Sequence, residues 1–341
     1  MTTPKNFHLL DLSRFIAAIA VLFWHYQHFY MIEGISFIRE GQPLYPLFKI
    51  FYTHGYLAVQ YFWILSGFVF FHTYCEKINK KKTNTKNYIA NRFSRLYPLH
   101  ILTLIVTALL AFYFKYKNGY LFVYQFNDIK HFLLNMFFIS HWGLQDGYSY
   151  NAPIWSVSVE IFAYIVFFIY CRLINSNMLY TAIITTLTYI TYNYSNNDLL
   201  YCVSCFFLGG TTYHIYKNLF NNTPSKKIIF AALIVFCAIA YYIHTFIFFA
   251  SSVLLLSIIQ SYNIRLGEKS RILGDLSFGV YLWHYPIQLV FVSFISQKIE
   301  FYNSSFTLLT FLSLPILASI LSFYCYEKPV KEKLRSKNPP A

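Results

Sequence analysis

The chain has 341 residues, 57% of them hydrophobic and 12% charged, with a mean hydropathy of +0.44 and a formal net charge of +14. So apolar a composition excludes a soluble domain with a polar surface and defines an integral membrane protein. Lys and Arg gather in short segments between apolar runs, the pattern of cytoplasmic loops, which excludes a nucleic-acid surface as the reason for the charge.

Spans are read from apolar runs near the roughly 20 residues that cross a bilayer, and sidedness from Lys and Arg in short loops. The first span covers about 12 to 30 and holds an arginine and two histidines. At about 100° and 1.5 Å per residue, eleven steps bring His25 back to within roughly 20° of Arg14 and about 16 Å further along the axis. One face therefore carries Arg14, Ala17, Ala18, Val21, His25 and His28. A charge inside lipid costs at least about 2.5 to 3.5 kcal/mol, so this face is expected to turn toward protein or water. Two readings stand: Arg14 paired with Asp11 at the interface above an interior His25, or a functional cation and base on one stripe. The first apolar run is long and no small-residue cleavage site follows it, so a cleavable signal is not expected.

The second span, about 56 to 74, contains Phe62-Trp63-Ile64-Leu65-Ser66-Gly67-Phe68, where Ser66 and Gly67 allow close backbone approach. The most basic segment follows, Lys77 to Arg95, and it sets the N-terminus inside. Within it Asn91-Arg92-Phe93-Ser94-Arg95 places two guanidinium groups one helical turn apart. Positive-inside bias alone would put them there, yet such a pair also clamps phosphates bidentately. A third span at about 97 to 114 leads outward. The apolar piece at about 131 to 142 is too short to cross and is expected to re-enter or lie along the outer surface.

Further spans are expected at about 153 to 171, 178 to 194, 199 to 216, 228 to 244, 246 to 262, 273 to 296 and 306 to 326, giving about ten crossings with both termini cytoplasmic. The fold class is thus an all-α polytopic bundle, a single transmembrane domain over 1–335 with a short polar tail at 336–341. The span at about 153 begins with Pro153 in its first turn and places Glu160 at a depth like that of His25. A carboxylate on one ring nitrogen would fix the imidazole tautomer and raise the basicity of the other nitrogen; a structural ion pair or a proton relay would look the same in sequence. In Leu273 to Pro286 the i, i+4, i+7 spacing sets Ser277, Tyr281 and His284 on one face, with Asp275 as a possible cap and Pro286 as a possible kink. Cysteines 75, 171, 202, 205, 237 and 325 lie in or beside apolar runs and read as packing thiols, the Cys202-x-x-Cys205 pair included.

The ordered set of Arg14 and His25 ten residues apart, Phe62 to Phe68, Arg92 to Pro98, Trp155-Ser156-Val157-Ser158-Val159-Glu160, Leu273 to Pro286 and Glu327-Lys328-Pro329 resembles the acyltransferase-3 family of membrane proteins that O-acylate cell-surface glycans. The resemblance covers about residues 8 to 330. It implies an acyl-coenzyme A donor, acetyl-CoA first among them, entering from the cytoplasm, and a surface or lipid-linked glycan hydroxyl as acceptor on the opposite face of a bacterial inner membrane, with no metal and no nucleic acid. On that reading His25 oriented by Glu160 is the base, and Tyr281 or Ser66 serves the oxyanion. Arg92 and Arg95 take the donor phosphates with Arg14 deeper, while Trp155, Ser156 and His284 contact substrate. Gln60 departs from the family, in which many members are acidic at that place, and an extracytoplasmic hydrolase-like domain carried by some relatives is not expected here. Direct transfer from the membrane domain, helped by the outer loop at about 31 to 55, is therefore expected. The rival readings are a multi-span transporter or flippase, which would favour internal repeats and matched broken helices, and a channel that passes acyl groups outward. Neither repeats nor such breaks are visible in the sequence.

Overall fold

The computed structural model describes residues 7–31, 37–221, 246–260 and 266–336, with isolated positions at 234, 235 and 238. Every regular element among the described residues is helical. In chain order the helices are α1 (His8–His25), α2 (Tyr45–His54), α3 (Ala58–Phe70), α4 (Glu76–Asn79), α5 (Thr85–Asn118), α6 (Ile129–Met136), α7 (Trp155–Leu173), α8 (Met178–Ser195), α9 (Asp198–Asn221), α10 (Phe246–Gln260), α11 (Glu268–Val290), α12 (Ile299–Tyr302), α13 (Ser305–Ser322) and α14 (Lys328–Ser336). Six segments among the described residues are long and apolar enough to cross a membrane: His8–Met31, Tyr45–Asn79, Thr85–Asn118, Ala152–Leu173, Lys269–Ile295 and Ser305–Lys333. The span expected over 228 to 244 falls almost entirely outside the described residues.

The helix ends follow from local chemistry. Asn177 caps α8 by accepting the Tyr180 amide, and Asn196 closes it in the left-handed region at φ 50. Ser304 caps α13 by accepting the Phe306 amide. Pro98, Pro286 and Pro315 lie inside α5, α11 and α13, as helices inside membranes tolerate. Helix α5 has 34 residues, about 50 Å at 1.5 Å per residue. The expected span at 97 to 114 lies inside this helix, and the basic residues before it continue the helix. One expectation is corrected. Asp275 does not cap its helix, because α11 starts at Glu268 and Asp275 lies two turns inside.

The chain divides into two compact units. The first comprises Met1–Arg14, Leu57–Asn84 and Val159–Gly274, and the second Phe15–Tyr56, Thr85–Ser158 and Asp275–Ala341. In the first, α3 and α9 meet backbone to backbone, because a Cβ on Gly67 would lie 1.8 Å from the Phe206 carbonyl oxygen and one on Gly209 would lie 2.0 Å from that of Ile64. Phe70 stacks on Tyr164 at 4.3 Å beside this crossing, and Cys202 and Cys205 are free, fully buried thiols of α9.

In the second unit the core is aromatic. Phe29 stacks on Tyr302 at 4.2 Å with the planes 8° apart, and Phe311 closes edge-on at 5.3 Å. The segment between α5 and α7 carries the short apolar piece, here the eight-residue helix α6. Asp128 caps it, its Oδ1 accepting the amide and the Nδ1–H of buried His131 at 2.9 Å each. Those two donors hold the Asp128 carboxyl below the usual carboxylate range. The folded group is the stronger acid, so the cap's contribution is complete above the ordinary Asp value and fades as pH falls through the lowered one. Asp128→Ala is expected to cost about 1 kcal/mol locally, seen as lost protection of the His131 amide in hydrogen exchange. Unchanged protection would show that the cap is idle.

Candidate active site

The second unit gathers three imidazoles. His25 ends α1, and the chain then tightens into the 3₁₀ turn Tyr26–Met31. The turn is pinned from outside: the Tyr26 and Tyr30 hydroxyls donate to the Tyr302 carbonyl at 2.8 and 3.3 Å, and Tyr30 also reaches Asn303 Oδ1 at 2.9 Å. Tightening brings His28 round beside His25, with ring centroids 5.0 Å apart, while His284 of α11 lies 4.7 Å from His25 on another side.

The tautomers follow from the partners. Nδ1 of His25 lies 2.9 Å from the Val21 carbonyl, and a carbonyl only accepts, so Nδ1 carries the proton and Nε2 keeps the lone pair. His284 repeats the device on its own helix, Nδ1 donating to the Tyr281 carbonyl at 2.5 Å. Its Nε2 is fully buried without a hydrogen-bond partner. Neighbouring rings 4.7 Å apart thus each keep a lone pair on Nε2, the form of imidazole that can accept a hydroxyl proton.

Around them Tyr281 donates to the Pro153 carbonyl at 2.5 Å and lies 2.8 Å from the Ser156 hydroxyl, tying α11 to the start of α7. The oxygen of Tyr281 that was expected to serve an oxyanion is therefore already committed as a donor. A row of aromatic rings runs from His28: Tyr124 at 5.6 Å, then Tyr148 at 6.4 Å, His141 stacked on Tyr148 at 5.6 Å, and Trp155 at 5.0 Å from His141. Tyr124, Tyr148 and His141 carry no signal in the sequence, because they lie in a segment without helical periodicity.

The remaining expected residues divide between the units. Glu160 lies in the first unit, where its Oε1 accepts the Tyr164 hydroxyl at 2.6 Å. At His25 Nδ1 the orienting partner is a backbone carbonyl in place of the carboxylate expected from sequence. Arg14 and Ser66 also belong to the first unit, and the Arg14 Nε is buried without a hydrogen-bond partner. Arg92 and Arg95 belong to the second. There Arg95, Lys328 and Lys331 line a cleft with Asp275, Glu327, Phe278 and Phe323. Asp275 and His284 share α11, nine residues apart, so the cleft and the histidines stand about 14 Å apart along one helix.

A helical chain with six described segments long and apolar enough to cross a membrane, and with imidazoles packed together among them, is of the class of multi-pass membrane proteins. The chain belongs to the acyltransferase-3 family: residues 7–326 match the family model described as an acyltransferase domain. It is a membrane acyltransferase. Among curated proteins it is similar to "Protein 2 in picA locus" of Rhizobium radiobacter, 34% identical over 111 residues that cover 33% of this chain and 47% of the relative. The match thus spans about half the length of that relative. No solved structure matches the chain.

Proposed function

We propose that the chain moves an acyl group, acetyl in the first instance, from acyl-coenzyme A at the cytoplasmic side to a hydroxyl of a surface or lipid-linked glycan on the opposite face of a bacterial inner membrane, through about ten crossings with both termini inside. The observation that carries this reading is the pairing, within one unit, of the His25 base with a cationic cleft about 14 Å away along α11. The donor is a polyanion with a long slender arm. Its phosphates suit Arg95, Lys328 and Lys331, and a reach of about 14 Å along α11 brings the thioester to the level of His25.

In the transfer, His25 Nε2 takes the acceptor hydroxyl proton as the oxygen attacks the thioester carbonyl. The carbon–sulfur bond then breaks, and the departing thiolate takes the proton back from the imidazolium. The aromatic row from Tyr124 to Trp155 suits a sugar, since the C–H face of a pyranose is drawn to the electron-rich ring face.

The deciding experiment uses purified protein with acetyl-CoA, with and without cell-envelope glycan. Acceptor-dependent thiol release supports transfer, and none at all supports a transporter. A second test addresses the cleft. Losing a charge-assisted contact costs about 1.5 to 3 kcal/mol. Lys331→Glu and Arg95→Glu are therefore expected to raise KM for acetyl-CoA by about tenfold or more with kcat little changed. An unaltered KM would remove the cleft from donor binding.

A further inference from the structure

Gln288, one turn beyond His284 on α11, makes two bonds that no other side chain duplicates among the described residues of the site. Its Nε2 donates to the His25 carbonyl at 2.7 Å, and its Oε1 lies 3.1 Å from His28 Nδ1. Both Gln288 and His28 are buried. The two contacts determine each other. The His25 carbonyl only accepts, so the amide must present its NH₂ there, which leaves its oxygen for His28. His28 must then carry its proton on Nδ1.

The place of the first bond matters. His25 is the last α-helical residue before the 3₁₀ turn, where the backbone bonding changes register and carbonyls lose their regular partners. A donor at that carbonyl holds the peptide plane after His25, and with it the direction in which the imidazole leaves the helix. We infer that Gln288 is a positioning residue for acyl transfer: one amide locks the His25 backbone and the His28 tautomer together, so that His25 Nε2 faces the reacting hydroxyl. The inference rests on the reading of His25 as the base.

The groups facing His28 are few: the His25 ring, Gln288, and the rings of Tyr124 at 5.6 Å and Tyr285 at 6.3 Å. The Tyr285 hydroxyl is already committed to the Phe122 carbonyl at 2.9 Å. No carboxylate appears among these partners, so the amide decides the His28 tautomer.

Two variants separate positioning from mere packing. Gln288→Met keeps the volume and deletes both bonds. It is expected to lower kcat tenfold or more, to leave KM for acetyl-CoA within about twofold, and to move His28 from a pure Nδ1–H tautomer to a mixture in long-range nitrogen spectra of histidine-labelled protein in detergent. Gln288→Glu keeps both bonds while its carboxyl is protonated and loses the donor to His25 when it ionises. Its rate relative to wild type at the same pH should therefore be highest at the acid end and fall as pH rises, a signature that a purely structural role does not produce.

The inference is overturned if Gln288→Met transfers acyl groups at the wild-type rate, if its His28 tautomer is unchanged, or if the Gln288→Glu ratio is flat with pH. Should wild-type protein transfer no acyl group at all, the acyltransfer reading fails on its own, while the tautomer measurement still reports whether Gln288 holds His28.

Discussion

His25→Ala is expected to lower acyl transfer by about 100- to 10,000-fold, the usual range for removing a positioned general base, with the protein made and folded at the normal level. The separation of activity from folding follows from the contacts. The side chain bonds only to the Val21 carbonyl of its own helix, and that carbonyl keeps the regular helical amide when the imidazole is gone. The neighbouring rings of His28 and His284 retain their own hydrogen bonds, to Gln288 and to the Tyr281 carbonyl. Each loses only a ring contact with His25 and no hydrogen bond. The check is acetyl transferred per molecule of purified protein, beside the yield of monodisperse protein in detergent. Full activity in His25→Ala would remove the base assignment outright. Labelled acyl-CoA without acceptor separates two versions of the chemistry: label retained on wild type and absent from the variant marks an acyl-imidazole intermediate, and no retained label marks direct attack.

What the sequence alone makes legible differs between the fold and the site. Apolar length anticipates helices that appear at α7, α8, α9, α11 and α13, and among these the segments of α7, α11 and α13 are long and apolar enough to cross a membrane, where only a helix satisfies its backbone groups within the segment. It also anticipates that the piece near 131 does not form a long helix, as α6 shows. Apolar length says nothing about where a helix stops beyond the apolar run. The extension of α5 to Thr85 and the start of α11 at Glu268, ahead of Asp275, were therefore not visible. For the site, helical periodicity places His25 and His28 on one face and Tyr281 with His284 on another. The meeting of those faces is a matter of tertiary packing. The bond from Gln288 to His25 joins residues 263 positions apart in sequence, and a lone glutamine in an apolar run carries no signal of its own. The expected carboxylate partner of His25 came from matching depths, and depth does not determine rotation about a helix axis. The preceding turn of α1 supplies the Val21 carbonyl instead.

Gly67→Val is the substitution expected to damage the fold most. Helices in lipid gain nothing from burying apolar groups against each other, since the lipid is as apolar as they are. Their association depends on close contact, and small residues permit it. At the crossing of α3 and α9 the approach is mutual: Gly67 meets the Phe206 carbonyl and Gly209 meets that of Ile64, each so close that a Cβ would lie at 2.0 Å or less from backbone oxygen. The obstructing atoms belong to two helical backbones, so no side chain can turn aside to make room. Even alanine must push the helices apart by about an ångström or more, and overpacking of this kind costs about 1 to 3 kcal/mol. Valine adds two methyl groups to the same clash and should exceed that range, and separating the helices also strips the packing around Phe206, which touches Phe70 at 5.3 Å and Tyr164 at 5.9 Å. Gly41, where an added Cβ would meet nothing within 4 Å, is the matched control. Melting of detergent-solubilised protein, followed by size-exclusion chromatography after heating, should show Gly41→Ala at the wild-type midpoint, Gly67→Ala and Gly209→Ala lowered, and Gly67→Val largely lost to aggregate. If Gly67→Val melts with wild type, the two helices are not held by this contact, and the close crossing of the first unit does not govern its stability.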